Sequence, residues 1–145
     1  WPTDNHEVVH LYSSAFGRTV ALFSEGLAVA FQINAPAGET VPKWSGTPLH
    51  DLARSFRQQG RLAPLSAIAD TAAFRAIDPN VAYPESGSFV RFLIDTYGLD
   101  AIKRLYGASQ PSDSGPRIAE VFLAVYGLSL TDAEQAWWAM LEAAR

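Results

Sequence analysis

The chain of 145 residues contains no cysteine. Disulfides, thiolate metal sites and thiol nucleophiles are therefore excluded, and any bound metal must take His, Asp or Glu. Positive charge is also thin. Eleven Lys and Arg face fifteen Asp and Glu for a net charge of −4, and Lys43 and Lys103 are the only lysines. With no basic stripe, nucleic acid is excluded as a partner, and so is a polybasic membrane patch. Long apolar runs are missing too. The longest, from Val20 to Phe31, is interrupted by Glu25 and is too short to cross a bilayer, so no transmembrane segment is expected. No strand of any length, internal repeat or low-complexity tract is visible.

What remains is helical. A hydrophobic content of 48% lets a chain of this length bury a substantial core, and a single domain over residues 1–145 is expected. Thr3-Asp4-Asn5 supplies a first N-cap, a second helix runs from about Thr19 to Ile33, and a loop carrying Trp44 follows to Gly46. Thr47-Pro48 reads as a cap with proline at the first helical position, and that helix stops by Gly60. One or two short helices lie between Pro64 and Ile77, after which Asp78-Pro79-Asn80 turns the chain and a core helix begins at Pro84 and stops at Gly98. Helices over Asp100 to Tyr106 and Pro116 to Tyr126 follow. Thr131-Asp132-Ala133-Glu134 has the capping-box pattern for the last helix, where Trp137 and Trp138 are read as core and surface neighbours. The expected class is all-α, roughly seven helices around a central first helix.

Chemistry concentrates at the start, in His6-Glu7-Val8-Val9-His10. Two histidines four residues apart share a helix face, so both imidazoles reach one tetrahedral cation. At about 100° per residue His6 and His10 stand about 40° apart, with Glu7 about 60° beyond His10, bordering the metal without ligating it. Val8, Val9, Tyr12, Ala15 and Phe16 occupy the opposite side, which points to a helix buried on both faces. Glu7 also stands at capping-box spacing from Asp4, but it cannot cap and act as base at once, and the base is favoured.

Gly17-Arg18 lies midway between His10 and Glu25. If two helices fold back antiparallel there, each residue stands seven or so positions from the turn, roughly 10 Å along its axis, so Glu25 faces His10. A carboxylate in so apolar a run is costly unless paired or metal-bound. His6, His10 and Glu25 would then hold Zn2+ with a fourth position open. The metal would acidify a water and polarise a scissile carbonyl, while Glu7 passes the proton to the departing amine. The pattern rarely arises by chance with three histidines in the chain.

The His-Glu-x-x-His helix followed by Phe23-Ser24-Glu25-Gly26-Leu27-Ala28-Val29 resembles the gluzincin metallopeptidases, in their peptidase MA-like branch. The likeness extends through Tyr83-Pro84-Glu85-Ser86-Gly87-Ser88-Phe89-Val90-Arg91-Phe92-Leu93 and weakly into the C-terminal helices. It implies the C-terminal helical, zincin-like part of a zinc metallopeptidase, with His6, His10 and Glu25 as ligands, Glu7 as general base and a peptide or protein as substrate. It also implies that Tyr83 stabilises the oxyanion. The sequence adds that a residue before proline avoids the helical region, which sets Tyr83 just ahead of the helix start, although many such tyrosines are merely packed.

Gln32 lies two turns after Glu25 on the same face, within reach of a ligand histidine that it would orient. Aminopeptidase-type gluzincins carry a carboxylate at the corresponding place, so an amide here implies weaker metal affinity. His50 is an alternative fourth ligand but is more simply a packed or surface histidine, and Trp44 is either a lid contact or packed on the body.

The chain opens at Trp1 and reaches its motif within six residues, so a fragment or processed product is expected, with a missing N-terminal region of the same protein as its partner. In the family that region supplies the strand that binds the peptide backbone, which leaves the activity of this piece by itself open. Two alternatives stand beside the peptidase: a non-catalytic, peptidase-derived helical interaction domain, and a zinc hydrolase acting on a non-peptide amide or ester. The resemblance leans toward a bacterial cell envelope or a secreted setting.

Overall fold

The computed structural model describes residues 5–31 and 42–143, of which the side chains of Asn5 and His6 are not described. The class is all-α. In chain order the helices are α1 (Asn5–Ser13), α2 (Ala21–Ala30), α3 (Leu49–Gln58), α4 (Thr71–Arg75), α5 (Pro79–Tyr97), α6 (Leu99–Ala108), α7 (Gly115–Tyr126) and α8 (Leu130–Ala143). Two-residue strands β1 (Lys43–Trp44) and β2 (Thr47–Pro48) pair antiparallel across Ser45 and Gly46, both at positive φ. Short 3-10 turns cover Ser14–Phe16 and Leu65–Ala67. Among the described residues no helix is long and apolar enough to cross a membrane.

The centre of the fold is the pair α2 and α5. Every residue of α2 except Ser24 is buried, and α5 buries Val81 through Leu93 with few interruptions. Glycine sets how closely they approach. A Cβ at Gly26 would lie 2.7 Å from the Ser86 carbonyl oxygen, and one at Gly87 would lie 2.9 Å from Val29 Cβ. Each helix thus offers a bare backbone where the other presses closest, and that contact holds Glu25 of α2 beside Tyr83 of α5. Phe89 continues the core outward, packing edge-on against Trp137 at 5.5 Å and stacking on Phe122 at 6.4 Å.

The first helix is peripheral, which corrects the expectation that it is central. Leu11 and Tyr12 are each 73% exposed and Ala15 is exposed, while Val9 and Phe16 alone of the expected back face pack on the core. Only nine residues long, α1 packs on one side of α2, and among the described residues no second layer covers its far face.

Three helix starts differ from expectation. α5 begins at Pro79, not Pro84: the Asp78 carboxylate accepts from Asn80 N at 3.0 Å and proline occupies the first position. Tyr83 is therefore inside the helix. A cap with proline at the first position outweighs the extended preference of a residue before proline, because Pro84 falls where α5 is packed into the core. α8 is capped by Ser129, whose Oγ accepts from Asp132 N at 3.0 Å, and not by Thr131. Glu134 turns inward instead. α3 starts at Leu49 after Pro48, with Thr47 in β2, and ends before Gly60 as expected.

Candidate functional site

The site is built on the turn between α1 and α2. After Ser13 the 3-10 turn leads to Gly17 at φ 117°, a conformation that a side chain would strain, and a Cβ there would meet the Tyr106 carbonyl oxygen at 3.1 Å. The chain reverses, and His10 Nε2 comes into polar contact with Glu25 Oε1 across the hairpin, the pairing that their matched distances from the Gly17-Arg18 turn predict.

Glu25 is buried, 7% exposed, and its second oxygen is fully engaged. Oε2 accepts from the Tyr83 hydroxyl at 2.7 Å and from Arg75 Nη1 at 2.9 Å, and Arg75 Nη1 also lies 2.7 Å from the Tyr83 oxygen. Burial and the Glu25 acceptor both push the Tyr83 phenol above its ordinary pKa, so it stays protonated and able to donate. The same carboxylate raises the Arg75 guanidinium. Trp44 stacks on Tyr83 with ring centroids 5.7 Å apart, and Phe74 meets it edge-on at 5.7 Å. The phenol is thus clamped between rings, and Trp44 packs on the body at the site itself.

Of the residues singled out in the sequence, the structure brings together His10, Glu25 and Tyr83. Glu7 is exposed on α1, His6 is on the same helix with its side chain outside the description, and Gln32 lies outside the described residues altogether. His50 does not join the cluster. Its Nδ1 lies 2.7 Å from Ser88 Oγ, which accepts from Trp137 Nε1 at 3.0 Å, and burial lowers its pKa. It is a packed, neutral histidine.

Zinc can be tested against the donors that are present. An imidazole nitrogen and a carboxylate oxygen meeting across a helix pair are the donor types zinc takes, and Oε1 is the Glu25 oxygen not held by Arg75 and Tyr83. Among the described residues no group of three His, Asp or Glu converges, and the third donor of the expected set is His6. His10 and Glu25 fit two positions of such a site.

Sequence reasoning missed Arg75. It lies 50 positions after Glu25 at the end of a five-residue helix, and nothing local marks it. Comparison with protein-family models, with curated proteins and with solved structures finds no match to this chain.

Proposed function

We propose that this chain carries the metal-binding helices of a gluzincin-like zinc metallopeptidase, with His6, His10 and Glu25 as ligands and Glu7 as general base. The observation that carries the proposal is the contact of His10 Nε2 with Oε1 of the buried Glu25, the two predicted ligands meeting across the α1–α2 hairpin. When bound, zinc supplies Lewis acidity, which acidifies a water and polarises a scissile carbonyl. The protein's own groups do the rest. Arg75 and Tyr83 hold Oε2 and so present Oε1 as a single, fixed donor, much as outer hydrogen bonds orient metal ligands generally. Glu7, one residue after His6 and exposed, takes a proton from the attacking water and hands it to the leaving amine. Tyr83 supplies a phenolic donor to the tetrahedral oxyanion by exchanging its bond to Glu25 for one to substrate.

A second reading has one observation in its favour. Arg75 already neutralises Glu25, so the cluster is satisfied electrostatically without a metal, as a peptidase-derived helical interaction domain without turnover would be. Elemental analysis of the chain and of His10→Ala separates the two: stoichiometric zinc that is lost in the variant supports the peptidase, and zinc retained by the variant overturns the ligand assignment. Turnover of a peptide library, with Glu7→Gln as control, then tests the base. Equal rates remove Glu7 from that role.

A further inference from the structure

Beside His10 lies a cavity of about 430 Å³, within the range of small-ligand sites, roughly 300–1,000 Å³. Its walls come from the α1–α2 turn, from α4 and from the end of α6, so it opens next to the His10–Glu25 pair. The charge of its lining is opposite to that of the chain. Arg18 and Arg75 both line it with His10, and no Asp or Glu does among the described residues, although the whole molecule carries −4.

Three hydroxyls in the lining are already committed to the backbone. Ser13 donates to the His10 carbonyl at 3.2 Å, Ser14 to that of Leu11 at 2.6 Å, and Thr71 to that of Pro111 at 2.8 Å. Thr19 Oγ1 accepts from Ser109 Oγ at 2.7 Å, and the side-chain donors left to a ligand are the guanidinium groups, the Tyr106 hydroxyl and Ser24, the neighbour of Glu25. Arg75 is fixed at its Nη1 by Glu25 and Tyr83. Arg18 is exposed at the turn and has no ion-pair partner among the described residues. A guanidinium presents a planar fork that matches a carboxylate with two parallel hydrogen bonds.

We infer that this cavity is a subsite for a carboxylate group of the substrate, held by Arg18 with Arg75 behind it. The inference rests on the zinc proposal only in calling the ligand a substrate. The carboxylate has two sources in a peptide, the C-terminus and an acidic side chain, and the chemistry at Arg18 is the same for both.

The test is a titration of the whole chain with three probes: N-acetyl-trialanine, its C-terminal amide, and the amide of N-acetyl-Ala-Glu-Ala. Binding is followed by amide chemical shifts, with zinc content measured on the same samples. A probe bearing a carboxylate is expected to bind at least about tenfold more tightly than the uncharged amide, and Arg18→Gln to remove that difference. Preference for the free acid assigns the group to the C-terminus, and preference for the Glu probe assigns it to a side chain; either supports the subsite. Equal binding of all three, no binding of any, or a preference that survives Arg18→Gln overturns it. Absent zinc with the preference intact supports the subsite and overturns only the zinc proposal. Stoichiometric zinc without the preference does the reverse.

Discussion

Two regions of this molecule bury a carboxylate, and they neutralise it in opposite ways. At the α1–α2 hairpin Glu25 is surrounded by partners that favour its charge: His10, Arg75 and the Tyr83 hydroxyl. At the junction of α5 and α8, Glu85 and Glu134 hold the main chain on either side of Pro64 and have no cation partner among the described residues. Glu85 Oε1 accepts from Ala63 N at 3.2 Å and Glu134 Oε2 from Leu65 N at 2.7 Å. Glu85 is fully buried, and its Oε2 has no hydrogen-bond partner among the described residues. Burial first, opposed by the Ala63 bond and reinforced by the charge of Glu134, pushes its pKa up to about 8. Burial likewise raises Glu134. Partners therefore decide whether a buried carboxylate is a charged hub of polar contacts or a neutral structural strut, and burial by itself argues for the strut.

The strongest way to break the comparison is Glu25→Ala, which removes the one group that His10, Tyr83 and Arg75 share. On the proposed zinc site, affinity for the metal is expected to fall by about two orders of magnitude or more, read by titration against a chelator. Unchanged affinity removes Glu25 from that proposed site.

Glu85 gives the next effect, with the sign fixed by its pKa. The folded value, about 8, is above the ordinary 4.5, so between those limits the native state keeps a proton that the unfolded chain has released. Its stabilising contribution is complete below pH 4.5 and is lost as pH rises toward 8. Denaturant midpoints are expected to decline over that window by an amount worth a few kcal/mol, and Glu85→Gln to flatten the decline. A variant with the same slope as the parent locates the titration elsewhere.

The helix pair that separates these two regions can be loosened directly. Gly87→Ala and Gly26→Ala each force a methyl into the α2–α5 contact and are expected to cost about 1–3 kcal/mol in denaturant unfolding. Ala tolerated at both sites without loss would mean that the helices have room to part. The smallest effect is at Tyr83. Tyr83→Phe keeps the ring between Trp44 and Phe74 but removes the donor to Oε2, and zinc affinity is expected to drop about tenfold with folding preserved.

The helical reading of the C-terminal half was legible because its signals are local. Gly98, Gly127 and Gly60 stop helices where sequence places the stops, at φ of 89°, 76° and 69°. Ser114 and Asp70 cap α7 and α4 with their own side chains, although the sequence reading singled out neither. Where two local signals competed, as at Asp78-Pro79 and Tyr83-Pro84, position relative to the core chose between them.

The sequence alone determined the helical class and the pairing of His10 with Glu25, because both follow from short-range periodicity about one glycine turn. Tertiary structure decided the rest: that α2 and α5 rather than α1 form the centre, that Arg75 and Trp44 meet at Tyr83, and that Glu134 is a buried strut instead of a cap. These are contacts between residues far apart in the chain, set by which faces the closed packing leaves room to bury, and no local pattern encodes them.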